Sequence, residues 1–213
     1  MEKFSSYLAK KITLSLGYTK EKEQVLSYGL IAMTQFFSIL LIVSLVGCIA
    51  NFAYECILIF LGVGFLRKST GGAHSDTMQG CMIMSCTNIT FLAFLSRYIL
   101  KFPTNTYYPL FIYLLCYLIC FYIIYTYVPL DSPNKRITSK AKIARLRKQS
   151  FSMLAVYFVA TILFTILSTY SIRFQSIANS FCLLTLWQCF TVTPAGAKFI
   201  HFLDTCLTKK LSN

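Results

Sequence analysis

Acidic residues are scarce in this chain. Asp and Glu total 7 against 20 Lys and Arg in 213 residues, which leaves a net charge of +13, and charged residues of both signs make up only 13%. Hydrophobic residues reach 56%, aromatic residues 16% and the mean hydropathy +0.63, which is more than a soluble core requires. The composition excludes an ordinary soluble domain and predicts an integral membrane protein.

The sequence gives no support for a metal or cofactor site, a disulfide framework or a nucleic-acid-binding surface. Paired metal-ligand spacings are missing, and only His74, Asp76 and Cys81 lie near one another, so neither a zinc site nor another cofactor is expected. The nine cysteines lie mostly inside apolar runs, where Cys behaves as a small hydrophobe, which argues against a disulfide framework. The basic residues sit in loops with no recognisable nucleic-acid-binding fold, so no nucleic acid is expected as a partner.

The apolar runs predict an all-α polytopic fold. Four runs are long enough for spanning helices of about 20 residues: Tyr28–Ile49, Thr77–Leu100, Tyr107–Val128 and Phe151–Ile172. Two further runs are weaker, since residues 51–66 are few and include Glu55, and residues 177–192 are interrupted by polar side chains. We predict six spans, with five as the main alternative.

The basic residues orient these spans. With six spans and the N-terminus inside, 17 of the 20 Lys and Arg fall on the cytoplasmic side, as the positive-inside rule requires. The first 26 residues are charged and polar, so no removable signal peptide is recognised and the first span is expected to stay. We therefore predict a multi-pass membrane protein with both termini and the polar stretch at residues 67–81 on the cytoplasmic side.

The segments around the spans have distinct predicted roles within one integral-membrane domain, residues 1–213. Apolar residues at helical spacing in Lys3–Leu16 predict an amphipathic helix in the membrane interface that stops at Gly17, followed by a charged linker through residue 24. Residues 28–193 form the predicted bundle. The basic run 135–148 is expected to hold anionic lipid headgroups, and residues 194–213 form a basic cytoplasmic tail in which His201 has a structural role.

The polar stretch between the second and third predicted spans, residues 67–81, is the candidate functional site. Gly71 and Gly72 allow positive φ and a close approach of another chain segment. Asp76 is the predicted N-cap of a helix that starts at Thr77, which puts Cys81 in its second turn, near the positive helix end that favours a thiolate.

The spacing of His74 and Cys81 constrains the chemistry. A continuous helix would separate them by roughly 10 Å, so contact requires a bend at His74 and Ser75. The pair would then be a Cys-His nucleophile and base, with Gly72 N–H or Arg67 available to the oxyanion. A packing role for Cys81 remains the alternative, because a Cys near a His is a weak signal in a chain with nine cysteines.

The pattern Arg-x-x-x-Gly-Gly-x-His-x-x-x-x-x-x-Cys, the hydropathy profile and the basic loop after the fourth span together resemble the AgrB family of membrane endopeptidases. Residues 127–137 also resemble a loop of that family, with Arg136 where many members carry proline. The resemblance implies Cys81 as nucleophile and His74 as base, with Arg67, Gly71 and Gly72 shaping the site or holding the peptide. It implies an AgrD-like propeptide with an acidic tail as substrate, an acyl-enzyme thioester, a thiolactone product and a homodimer.

Two other functions stay open on the residues alone. A small transporter or peptide exporter would use the loop at residues 71–74 as a re-entrant gate and would need charged residues along a path, for which Glu55 is the acidic candidate inside a span. A non-catalytic membrane scaffold would leave Cys81→Ala silent.

Overall fold

The computed structural model describes residues 2–17, 19–73, 75, 77–102, 107–130 and 139–211, with side chains described from 6 to 207. All regular elements among these residues are helices, and these residues include no strand. The helices, in chain order, are α1 (Glu2–Leu16), α2 (Lys20–Ile49), α3 (Ala53–Thr70), α4 (Met78–Phe94, continued by a π-helical turn, Leu95–Ile99), α5 (Tyr108–Tyr127), α6 (Lys140–Leu167), α7 (Ile172–Val192) and α8 (Pro194–Leu211).

The chain divides into two compact units, Met1–Ile42 and Val43–Asn213. In the first unit the predicted N-terminal helix is confirmed as α1, and Gly17 follows it with φ of +64°. A hydroxyl contact of 3.4 Å joins Ser6 on α1 to Ser27 on α2. The residues predicted as a charged linker, Lys20–Gln24, instead form the first turns of α2, because nothing in Lys-Glu-Lys-Glu-Gln opposes a helix.

Four helices are long and apolar enough to cross a membrane: α2, α4 with its π-helical turn, α5 and α6. Each covers most of one of the four strong predicted spans. The two weaker predicted spans also form helices, α3 with 18 residues and α7 with 21, but both carry buried polar side chains. Among the described residues, length and composition therefore support four of the six predicted spans and leave the other two, α3 and α7, unconfirmed.

The second unit is built around α7, which packs against α3, α5, α6, α8 and the end of α4. Its buried positions include a series of polar side chains: Gln175, Ser176, Asn179, Ser180, Thr185, Gln188 and Thr191. By contrast, α5 turns large apolar side chains outward, with Phe111 63% exposed. Polar groups inside and apolar groups outside are the arrangement that a lipid solvent favours.

An ion pair with a buried carboxylate connects three elements of this unit. The Glu55 carboxylate on α3 accepts a hydrogen bond from Ser176 Oγ of α7 at 2.5 Å and lies 3.6 Å from Arg97 Nη1 in the π-helical turn. A buried charge is tolerated only when it is paired and hydrogen-bonded, and both conditions are met here. The acidic residue that interrupts the second apolar run thus joins α3 to its neighbours.

Candidate functional site

The Gly-Gly pair ends α3 and turns the chain toward α4. Gly71 is the C-cap, with φ of 75° and ψ of −149°, and its N–H donates to Arg67 O at 2.9 Å. Gly72 follows with φ of +137°. Both glycines occupy backbone regions that side chains rarely adopt, as the sequence predicted, so the turn depends on them.

The same two glycines allow the close approach of neighbouring segments. A Cβ added to Gly71 would lie 2.8 Å from Leu130 O, and one added to Gly72 would lie 2.9 Å from Thr191 Oγ1. Leu130 belongs to the segment after α5, and its N–H donates to Thr70 O at 3.0 Å. The turn is therefore packed on two sides by parts of the chain that are distant in sequence.

Helix α7 holds this turn with side-chain and main-chain hydrogen bonds. Gln188 Nε2, fully buried, donates to Gly71 O at 2.7 Å and to Thr70 Oγ1 at 2.9 Å. The Ala73 N–H donates to Thr191 O at 3.1 Å. Three of the four positions before His74, namely Thr70, Gly71 and Ala73, are held in this way against α7.

Arg67 reaches along the turn from the last turn of α3. Its Nη2 donates to Ala73 O and lies 3.5 Å from Gly72 O, while its buried Nε has no partner among the described residues. Burial lowers the pKa of the Arg67 guanidinium, and negative charge at Cys81 acts in the opposite direction. Arg67 therefore holds the turn and also places positive charge within electrostatic reach of Cys81.

Cys81 lies one turn into α4. The helix begins at Met78, and Thr77 is its N-cap, with the Thr77 hydroxyl accepting from Gly80 N at 3.1 Å and Thr77 O accepting from Cys81 N at 2.9 Å. The predicted cap, Asp76, lies outside the described residues, and the helix starts one residue later than predicted because the Thr77 side chain takes the capping role. His74 also lies outside the described residues, so its predicted contact with Cys81 stays a prediction.

A cavity of about 530 Å³ adjoins Cys81. Arg67, Ala73, Ser75 and Thr191 contribute polar groups to its wall, as do Ser85, Thr87 and Asn88 of α4. The rest is apolar and comes from four helices: Val63 of α3, Ile83, Met84, Ile89 and Phe91 of α4, Trp187 of α7, and Phe199, Ile200, Leu203 and Leu207 of α8. The half-buried thiol of Cys81 thus meets a largely apolar space with a cation at its edge.

The C-terminal helix is the main surprise of the site. The prediction that residues 194–213 are a basic cytoplasmic tail stays a prediction, and it did not anticipate that α8 forms one wall of the cavity. Asp204 on α8 is buried and accepts a hydrogen bond from Ser75 Oγ, next to the predicted base in sequence. His201 is exposed on the same helix.

Three supporting residues were missed by the sequence analysis: Gln188, Thr191 and Asp204. One usable signal existed for Asp204, which is the last acidic residue of the chain and the sole one after residue 131. Gln188 was noted only as an interruption of an apolar run. Among the residues that the structure describes, no cluster of three or more His, Cys, Asp or Glu could hold a metal ion.

Comparisons with known proteins place the chain in a family. No solved structure matches it. An AgrB-like protein of Clostridium perfringens strain SM101 is 27% identical over 214 residues, covering 99% of this chain and all of the relative. A second AgrB-like protein, from strain 13 of that species, is 27% identical with the same coverage, and one from Halalkalibacterium halodurans is 22% identical over 98% of the chain. The profile of accessory gene regulator B matches residues 1–192, and the chain therefore belongs to the AgrB family.

Proposed function

We propose that this protein is a membrane cysteine endopeptidase that removes the acidic C-terminal tail of a short AgrD-like propeptide and closes the remaining peptide into a thiolactone. Family membership implies a role in the processing of autoinducing peptides. The observation that carries the finer proposal is the position of Cys81: half-buried, one turn from the N-terminus of α4, in the wall of a cavity that it shares with Arg67.

The reaction begins with the Cys81 thiol and His74 as its base. His74 takes the thiol proton, the thiolate attacks the carbonyl carbon before the tail, and the C–N bond breaks as His74 returns the proton to the leaving amine. The helix N-terminus and Arg67 supply positive charge that favours the oxyanion formed on attack. The products of this step are the free tail and an acyl-enzyme thioester on Cys81.

The second step closes the ring. A thiol within the bound peptide attacks the acyl carbon, its proton passes to the Cys81 sulfur by way of His74, and the thioester moves from the enzyme to the peptide. One thioester replaces another, so the exchange is close to isoenergetic and needs no ATP. Water would divert the acyl group to hydrolysis, and the apolar walls of the cavity oppose its entry.

Arg67, Gly71 and Gly72 have a shaping role in this proposal. The two glycines make the turn that leads to His74, and Arg67 binds the carbonyls of that turn. Fixing the turn fixes the direction in which the following residues project toward Cys81. A lost contact here would reduce turnover through geometry, since reacting groups must be held within a fraction of an ångström.

The membrane setting follows from the same elements. The first turns of α6 expose Lys140, Lys142, Arg145 and Lys148, and Arg147 Nε donates to Val128 O at 3.1 Å. We propose that this basic end faces the cytoplasm against anionic lipid headgroups, each charge contributing about 1 kcal/mol near the surface. Both termini and the Cys81 site would then also be cytoplasmic, and the homodimer implied by the resemblance stays a prediction.

The exporter alternative draws no support from Glu55, since that side chain is paired with Arg97 and Ser176 and does not line the described cavity. The deciding experiment uses membranes carrying wild-type protein, Cys81→Ser or Cys86→Ser, incubated with an AgrD-like propeptide that has an acidic C-terminal tail. Cys86 is a matched control, because it lies on α4 but outside the cavity wall.

Mass spectrometry follows both peptide and protein. We expect loss of the tail and a thiol-sensitive acyl adduct on Cys81 in the wild type and in Cys86→Ser, and neither in Cys81→Ser. Intact peptide in all three samples, with folded protein and a confirmed cognate peptide, would contradict the endopeptidase and favour an exporter or scaffold.

A further inference from the structure

A buried carboxylate on the C-terminal helix touches the loop that leads to Cys81. Asp204 is only 4% exposed, although it lies on an amphipathic helix whose other charged residues, Lys198, Lys209 and Lys210, are all basic. Burying a carboxylate is costly unless several donors reach it. Its position therefore needs a specific set of contacts.

Those contacts are with the segment between the Gly-Gly turn and α4. Asp204 Oδ1 accepts a hydrogen bond from Ser75 Oγ and lies 3.5 Å from Thr77 Oγ1. Ser75 Oγ is in turn 3.3 Å from Thr77 N. The carboxylate thus organises two hydroxyl side chains on either side of residue 76.

Gly80 makes this approach possible. A Cβ at Gly80 would lie 2.5 Å from Asp204 Oδ1 and 2.6 Å from both Ser75 Oγ and Thr77 Oγ1. A side chain at this position, one residue before Cys81, would therefore displace the network. The absence of one lets α8 pack directly on the first turn of α4.

The two hydroxyls have distinct connections to the proposed chemistry. Ser75 is the residue after His74 in the chain. Thr77 caps α4, and its carbonyl binds the Cys81 N–H at 2.9 Å. One carboxylate therefore holds the segment that carries the proposed base and the helix turn that carries the proposed nucleophile.

We propose that Asp204 is a positioning residue of this active site, acting through Ser75 and Thr77 on the relative placement of His74 and Cys81. This inference rests on the proposed endopeptidase function. It also makes α8 part of the active site, although the family profile ends at residue 192 and so does not include this helix.

The test compares Asp204→Ala, Asp204→Asn, Ser75→Ala and Ser75→Ala/Asp204→Ala with wild type in the full-length membrane protein. Thr205→Ala is the matched control, because Thr205 is the next residue on α8 and is exposed. We expect Asp204→Ala to lower kcat at least tenfold with KM within twofold, since the groups that move are those that react. Asp204→Asn should retain most of kcat, because its amide oxygen still accepts from both hydroxyls.

The double variant separates positioning from general damage. If Ser75 transmits the effect, Ser75→Ala alone lowers kcat at least fivefold and adds less than twofold in the Asp204→Ala background. If Asp204→Ala does not fold, the kcat of Ser75→Ala alone tests the proposal. Wild-type kcat in a folded Asp204→Ala, or in Ser75→Ala, would overturn the proposal.

A second readout needs no substrate and so distinguishes this inference from the proposed function. A short pulse of iodoacetamide is followed by mass spectrometry, with Cys86 on the same helix as the internal reference. We expect the alkylation rate of Cys81 relative to Cys86 to fall at least threefold in Asp204→Ala. An unchanged ratio would overturn the inference, whereas a wild-type protein that cleaves no peptide would overturn the proposed function.

Discussion

Replacing Gly71 by alanine should destabilise the second unit by about 2 to 5 kcal/mol. At φ of 75° and ψ of −149° the backbone is in a region that is essentially restricted to glycine, which costs about 1–3 kcal/mol for any other residue. The new methyl group would also lie 2.8 Å from Leu130 O, and overpacking of this kind costs about 1–3 kcal/mol. Reduced freedom of the unfolded chain offsets only about 0.4–1 kcal/mol.

Two other glycines separate these contributions. Gly17 has φ of +64° with open space around its would-be Cβ, so Gly17→Ala tests the backbone cost alone, about 1–2 kcal/mol. Gly64 lies within α3 with no atom within 4 Å of its would-be Cβ, so Gly64→Ala should be neutral or stabilise by about 1 kcal/mol.

The assay is thermal unfolding in detergent, followed by the fluorescence of Trp187, the only tryptophan of the chain. At about 2–4 °C per kcal/mol for a protein of this size, Gly71→Ala should lower Tm by at least about 4 °C. Peptide cleavage by the same variant should fall with it, because the turn leads to His74. A Gly71→Ala protein with the Tm of Gly64→Ala would refute the reasoning about both the backbone and the close contact.

Three further predictions follow from the packing. Gly80→Ala should reduce the initial rate of peptide cleavage at least tenfold, because the new methyl group would collide with the side-chain oxygens of Ser75, Thr77 and Asp204. Gly64→Ala should leave the rate on the same peptide unchanged, because its methyl group meets open space. Glu55→Gln should lower the free energy of unfolding by about 1–3 kcal/mol by leaving the partly buried Arg97 without its carboxylate, and Tm should recover in part in Glu55→Gln/Arg97→Leu. Equal Tm values for the single variant and wild type would contradict this. Gln188→Leu should lower the free energy of unfolding by about 1–3 kcal/mol and also lower kcat, because Gly71 O loses its buried donor. A Tm and a kcat unchanged from wild type would contradict the role of Gln188 in holding the turn.

The local features of the site were largely readable from the sequence. The positive φ of Gly71 and Gly72 follows from the residue type, and the placement of Cys81 near a helix start follows from a capping signal that was wrong by one residue. These features depend on neighbours within a few positions. Local sequence carries enough information for such short-range structure.

The supports of the site could not be predicted in the same way. Gln188 reaches Gly71 from 117 positions away, and Asp204 reaches Ser75 from 129 positions away. In the sequence, a single glutamine in an apolar run indicates only a costly polar group. Its stabilising role becomes visible once tertiary packing shows the buried groups that it binds. The packing of α8 against the cavity could not be predicted for a related reason: an amphipathic helix fits a membrane surface and a protein cavity equally well, and only the tertiary contacts decide between them.

The long sequence separation in these contacts bears on when the candidate site is assembled. Cys81 and the Gly-Gly turn are synthesised early, but the groups that fix them, Gln188 and Asp204, are added more than 100 residues later. At roughly 5–20 residues per second, the ribosome takes on the order of ten seconds to supply them. During that interval the thiol is already present in the membrane while its supports do not yet exist. The order of synthesis therefore delays assembly of the site until α7 and α8 have been made. Under the proposed function, peptide cleavage starts only after that point.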